Sequence, residues 1–301
     1  MTQQHQKRWL GYLLVIIGAS FWGIGGTVSQ WLFQHANVEV TWFVAVRLMI
    51  SGSMLIIIAL LTQGPKVFVI WWDKHARIQI IIYGILGMLA VQYTFMSSIH
   101  HGNAAVATLL QYLGPIVIIF YLVITKVTKV GIKEVVAVIL ALSGTYLLLT
   151  NGHLQNLQVP RAAIIWGLLS AVALAFYTIY PVKLLARWGS LNVVGWAMLI
   201  GGIALSFFHP PWEVALSTWT LETHLYFWFA IIFGTMLAFW FYIDSLHYLF
   251  PHEAGLLGTI EPLMALVASV FWLHVTFGGW QLVGVLLIIL MVVVLSVVKS
   301  K

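Results

Sequence analysis

Two ionisable side chains stand inside otherwise apolar runs, and their chemistry frames the rest of the chain. Glu261 lies near the middle of the run 253–273 and is followed at once by Pro262. A carboxylate at mid-membrane depth costs several kcal/mol or takes up a proton, so Glu261 is expected to bind a proton or a substrate amine. Pro262 has no backbone N–H and therefore frees the carbonyl of Gly258, four residues earlier. Irregular backbone of that kind is tolerated at membrane depth where it faces protein or a wet cavity. Ala254, Gly258, Glu261, Ala265 and Ala268 share one helical face, a surface of small residues that another helix can approach. Arg47 is the second embedded charge, near the outer end of the run 41–61. Its guanidinium suits bidentate recognition of a carboxylate. Snorkelling to headgroups and pairing with a neighbouring helix are the alternatives.

Uncharged residues extend this set. Gln92 and Tyr93 lie deep in one run, and Gln111 and Tyr112 in the next, where Pro115 frees the carbonyl of Gln111. Each suits a cavity wall or an interhelical hydrogen bond. Trp22 sits midway along a glycine-rich run, away from the interfacial belt that tryptophan usually occupies. It can stack on an aromatic or cationic substrate. Tyr177, Trp196 and Trp240 join it on weaker grounds. Trp71, Trp72, Trp188, Trp212 and Trp219 fall near run ends and are expected to anchor at the interface. The substrate-binding set is thus Trp22, Arg47, Gln92, Tyr93, Gln111, Tyr112, Tyr177, Trp196, Trp240 and Glu261. Glu261 is also the proton-coupling candidate, and Pro115 and Pro262 are the points where helices bend.

Several chemistries are not supported. His252-Glu253 begins like a zinc-binding helix, but position 256 is Leu, so the second histidine is missing. His100 and His247 fall at opposite membrane surfaces, so they do not share a metal. No metal or other cofactor, and no catalytic residue, is expected. No Walker loop is present, so ATP is not the direct energy source. With no cysteine in 301 residues, thiol chemistry is excluded.

The elements that must position these residues are membrane helices. The chain is 62% hydrophobic and only 7% charged, against about 25% in soluble proteins. Twenty-two charges cannot cover a water-exposed surface, so the main partner is the lipid bilayer. Hydropathy marks ten segments near 10–32, 41–61, 78–97, 103–124, 132–150, 162–182, 192–208, 224–243, 253–273 and 279–298. With the N-terminus inside, inner loops carry Lys7, Arg8, Lys66, Lys74, Arg77, Lys126, Lys129, Lys133, Lys183, Arg187, Lys299 and Lys301, against Arg161 alone outside. The positive-inside rule then places both termini in the cytosol. The formal charge of +6 reflects that bias and does not point to nucleic acid.

The chain also echoes itself. Shifted by 147 positions, Ser98 falls on Ser245, His100 on His247, Ala107 on Ala254 and Pro115 on Pro262. Gly114 falls on Glu261, so one half alone carries the carboxylate. Ten spans divide five and five, at 1–153 and 154–301. Five is odd, so the second half enters from the opposite side. Such an inverted repeat is characteristic of transporters whose substrate site lies near the midplane between the halves.

Several stretches resemble the ten-helix EamA-like branch of the drug/metabolite transporter superfamily. They are GASFWGIGG (18–26), VRLMISG (46–52), LLQYLGPIV (109–117), LALSGTYLLL (140–149) and LGTIEPLMA (257–265). The resemblance spans essentially the whole chain. It implies an all-α polytopic fold and efflux of small organic metabolites, amino acids or related compounds, from the cell across the inner (plasma) membrane. Family members often carry a Glu near the ends of the fourth and ninth helices, where this chain has TKVT (125–128) and LHVT (273–276). Any role of that Glu does not transfer. A hydrophobic-drug exporter is the rival reading within transport, and a monomer and a homodimer are both compatible with the sequence. An intramembrane enzyme needs more convergent charged groups than the chain offers, and a scaffold leaves the repeat unexplained.

Overall fold

The computed structural model describes residues 2–126, 131–153, 157–213 and 218–296. Lys129, Lys299, Lys301 and residues 127–128, 154–156 and 297–298 of the stretches singled out above lie outside them. Among the described residues every regular element is a helix. Among the described residues, nine helical stretches are long and apolar enough to cross a membrane. They are Arg8–His35, Val40–Trp71, Lys74–His101, Ala104–Ile124, Ile132–Thr150, Arg161–Ile179, Leu221–Ser245, Glu253–Phe271 and Gly279–Ser296. A tenth exists if α9 (Val182–Trp188) and α10 (Ser190–Ser206) are one broken span, because they meet at 119°. The expected seventh segment, 192–208, is therefore shorter than a simple span and preceded by a helix lying across it. Gly189 between the two has φ 79°, in the left-handed region open to glycine.

Helix α1 (Thr2–His35) leads into α2 (Val40–Gln63). Arg8 pairs with Glu253, and the end of the bundle that holds this pair is here the near end. The 3-10 turn Gly64–Trp71 follows α2 at that end.

Four spans are not straight. The third is α3 (Lys74–Ile82), a π turn at Tyr83–Leu89, and α4 (Ala90–His101). The seventh of the nine is α11 (Leu221–Ile231), a π turn at Ile232–Leu237, and α12 (Ala238–Ser245). A π turn widens the hydrogen-bond ladder by one residue, and Thr235 Oγ1 donates to the carbonyl of Ala230 at 2.8 Å inside the second one. The other two are interrupted by proline. Helix α5 (Ala104–Gln111) gives way to α6 (Gly114–Ile124), and α13 (Pro251–Gly258) to α14 (Ile260–Phe271). The breaks come at Tyr112–Leu113 and at Thr259, just before Pro115 and Pro262. Each proline sits in the first turn of the second helix, where its missing N–H is least costly. The stripe through Ala254, Gly258 and Glu261 is therefore carried on two helices.

Small residues let the spans touch backbone to backbone. Helix α7 (Ile132–Thr150) lies on α15 (Gly279–Ser296) through Gly144 and Gly284. A Cβ on Gly284 would stand 2.6 Å from the Gly144 oxygen and 2.7 Å from the Leu148 nitrogen. Gly25 meets Gly234 of the second π turn in the same manner. Helices α2 and α10 close on Gly52 and Gly202, and α4 packs on α8 (Arg161–Ile179). Buried Leu32, Phe33, Trp42, Phe43 and Phe227 fill the far end of the bundle. Three tryptophans expected at the interface pack against the core. Trp71 and Trp188 are packed with buried indole N–H groups, and Trp219 lies edge-on to Trp42 at 5.7 Å. Trp72 and Trp212 are exposed. Length and apolarity identify a run end, but neighbouring helices decide whether its tryptophan faces lipid.

Candidate functional site

A cavity of about 380 Å³ opens among α1, α2, α4, α5, α8, α12, α13 and α14. Seven of the ten expected residues line it: Trp22, Arg47, Gln92, Gln111, Tyr112, Tyr177 and Glu261. It extends towards the near end past Leu185, Ser190 and Leu246. Buried aromatic rings, among them Trp42, Phe43 and Phe227, pack at the far end.

Three expected residues lie elsewhere. Tyr93 follows Gln92, but one helical step turns it about 100° away. It meets Trp166 edge-on at 5.7 Å and lines a second, far-end cavity of about 360 Å³ with Glu39 and His100. Trp196 packs edge-on against Trp71 and donates its indole N–H to the Val67 carbonyl at 3.2 Å. Trp240 packs against the main core beside Phe241.

Arg47 is 3% exposed. Its Nη2 donates to Gln92 Oε1, its guanidinium carbon lies 5.3 Å from the Phe43 ring centre, and its Nε has no hydrogen-bond partner. None of the ion pairs among the described residues includes Arg47 or Glu261. The cavity therefore presents one guanidinium and one carboxyl group, neither matched to an opposite charge of the protein. Burying a charge without a partner is costly, so the arrangement is poised for a ligand's charges or, at Glu261, a proton.

The carboxyl group is held at the broken helix. Tyr112 Oη lies 2.7 Å from the Gly258 carbonyl oxygen and 3.2 Å from Glu261 Oε2. The carbonyl that Pro262 frees is thus capped by a phenol from another span. Gln111 Nε2 donates to Ser170 Oγ at 2.6 Å, which ties α5 to α8. Behind Glu261, Gly23 of α1 leaves room for the α14 backbone.

The sequence gives no reason to single out Tyr83 and Tyr242, yet both line the cavity. Tyr83 stacks on Tyr177 with ring centres 5.4 Å apart, and Tyr242 leans on Trp22 at 5.2 Å. The proximity of Tyr242 to Trp240 is the one available signal, and the helical turn decides between them. Asp244 and His247 are 3.4 Å apart but lie within one exposed turn. The near-end ion pairs that join distant segments are instead Arg8 with Glu253, and Arg187 with Asp73 at 2.8 Å.

Outside the spans, two carboxylates are held below their ordinary range. Burial acts against this at Glu39, but the Trp42 N–H, 2.6 Å from its Oε2, outweighs burial with help from Thr41 and His209. At Asp73 the Ala76 N–H is the main cause, assisted by Arg187 and the His75 N–H.

Helices of membrane-spanning length packed around a cavity with unmatched charges define a polytopic membrane protein. The model of the EamA-like transporter family matches residues 9–150 and 161–297, and the chain belongs to that family. It is 33% identical to the "Uncharacterized inner membrane transporter YicL" of Salmonella typhimurium, across 95% of each chain. It is 24% identical to the "Uncharacterized transporter YwfM" of Bacillus subtilis, across 96% of this chain and 94% of the relative. A protein of known crystal structure shares the fold with a TM-score of 0.64 at 17% identity, covering 97% of this chain and 96% of its own.

Proposed function

We propose that the protein is a secondary transporter of the inner membrane that exports small organic metabolites, amino acids or related compounds, by alternating access. Its two halves, 1–153 and 154–301, are related by inverted topology, and both termini face the cytosol. The observation that carries this reading is one cavity holding both Arg47 and Glu261 without a protein counter-charge. A zwitterion supplies both missing charges, a carboxylate to Arg47 and an ammonium to Glu261. A neutral hydrophobic drug supplies neither, although the aromatic walls suit its body.

Other features support the remaining parts. The family model matches two stretches of similar length. π turns recur at 83–89 and 232–237, and proline-linked breaks recur after Gln111 and Gly258, 147 residues apart. The name of YicL supports the inner membrane, and the basic inner loops support cytosolic ends. Glu261 is the proposed proton site. A cavity reaching the near end beneath a packed far end is one of the two states that alternating access needs.

Counterflow into liposomes tests the reading. Liposomes containing the purified protein are preloaded with pools of amino acids, amines, carboxylates and lipophilic drugs, and uptake of label is compared with Glu261→Gln. Uptake driven by the amino-acid pool and lost in the variant is the expected result. Uptake driven only by the drug pool overturns the substrate class, and unchanged, fully proton-driven transport in the variant overturns the role of Glu261.

A further inference from the structure

A phenol carries one proton, and Tyr112 has two acceptors within reach. One is the Gly258 carbonyl at 2.7 Å, the other Glu261 Oε2 at 3.2 Å. Both lie part-buried on the cavity wall, where a missing donor costs more than at the protein surface. With Glu261 protonated, everything is served. The carboxyl O–H donates to the Tyr112 oxygen, and the Tyr112 O–H donates to Gly258. With Glu261 ionised, the carboxyl has nothing to donate, and a charge-assisted bond from Tyr112 is stronger than a neutral one to Gly258. The phenolic O–H then turns to Glu261, and the Gly258 carbonyl loses its donor.

That carbonyl is no ordinary helix carbonyl. Pro262 has removed the N–H that would have bonded it, and it ends α13 at the break before α14. Its donor comes from Tyr112, at the corresponding break between α5 and α6. One proton's orientation thus links the charge on Glu261 to the joint between two broken spans.

We propose that Tyr112 is the coupling residue of the transporter: its hydroxyl turns from the Gly258 carbonyl to Glu261 when Glu261 ionises, releasing the α13–α14 break. The phenol keeps its own proton throughout, so the only proton gained or lost is that of Glu261. The inference rests on the reading of Glu261 as the proton site. The titratable and charged groups sharing the cavity with Glu261 are Tyr112 from the break after α5, Tyr242 from α12, Tyr177 from α8, Tyr83 from the first π turn and Arg47 from α2. Among the described residues, helices α1, α4 and α13 contribute none to it. Of these groups, Tyr112 alone is within hydrogen-bond distance of both Glu261 and the broken backbone.

Two measurements test this. In liposomes, Tyr112→Phe keeps the ring and removes the hydroxyl. Measured relative to the variant's own exchange rate at equal pH on both sides, the pH dependence of exchange and the extra accumulation driven by a pH gradient should be lost. If wild type responds to no gradient, or Glu261→Gln responds like wild type, the proton-site reading fails. If Glu261→Gln loses the response but Tyr112→Phe keeps it in full, the coupling proposal alone fails. The second measurement needs no folded variant at position 112. Wild-type protein carrying carbonyl-13C glycine is taken through a pH change while its infrared difference spectrum is recorded. Loss of a protonated-carboxyl band, absent in Glu261→Gln, should coincide with a shift of a labelled glycine carbonyl. A carboxyl band that titrates with no glycine change overturns the proposal.

Discussion

Replacing Arg47 by Met should make the protein more stable and unable to hold a carboxylate. Arg47 is 3% exposed, with one hydrogen bond to Gln92, a ring contact at 5.3 Å and an unpartnered Nε. The residual desolvation penalty of a buried ion is several kcal/mol. Its offsets are about 1.5–3 kcal/mol for a charged hydrogen bond and about 0.5–2 kcal/mol for the ring. Methionine fills a similar length without charge, and Gln92, at the cavity wall, can be hydrated. A net gain of about 1–3 kcal/mol follows, on the order of 2–10 °C in melting temperature for a chain of this size. Binding moves the other way. Two charge-assisted bonds at about 1.5–3 kcal/mol each correspond to roughly 10²–10⁴-fold in affinity. The assay is intrinsic tryptophan fluorescence during a thermal ramp, with and without the cargo that drives counterflow. Saturating cargo at about 100 times Kd should stabilise wild type by about 2.7 kcal/mol and leave the variant unmoved. A variant that melts lower than wild type yet still responds to cargo would refute the reasoning, because Arg47 would then be a structural strut.

Three further perturbations separate packing from binding. Gly284→Ala puts a methyl 2.6 Å from the Gly144 oxygen and should cost about 1–3 kcal/mol through overpacking, read as a lowered melting temperature with cargo affinity unchanged. Trp196→Ala should cost about 3–5 kcal/mol and change cargo affinity by less than about twofold, because its ring packs on Phe68 and Trp71 outside the cavity. A tenfold loss of affinity there would return Trp196 to the binding set. Glu39→Ala removes the N-cap of α2 and should cost about 0.5–2 kcal/mol at neutral pH. The folded-state pKa of Glu39 is depressed, so its contribution is present above the ordinary carboxylate range and is lost as pH falls through the depressed value. Wild type and Glu39→Ala should therefore converge in melting temperature on strong acidification, and a gap that widens instead would refute the sign.

The chain by itself determines its solvent, its helices and the positions where those helices are broken. Apolar runs of bilayer length cannot be covered by water, and Pro115 and Pro262 remove backbone donors wherever the chain goes. The two embedded charges were legible because an ionised group in such a run is expensive whichever way it faces. Contacts across the fold were not. Nothing within a few residues of Gly258 indicates that its free carbonyl is capped by Tyr112, 146 positions away. Nor does local pattern separate Gln92 from Tyr93, or Tyr242 from Trp240. In each pair both residues suit a membrane helix, and one or two helical steps place one on the cavity and the other on its packing. The π turns at Tyr83–Leu89 and Ile232–Leu237 reorient those faces further. In a segment that is apolar all round, sequence periodicity does not mark the inward face. Only the neighbours that close against Gly25, Gly84 and Gly234 decide it, because glycine lets a backbone approach but does not say which one.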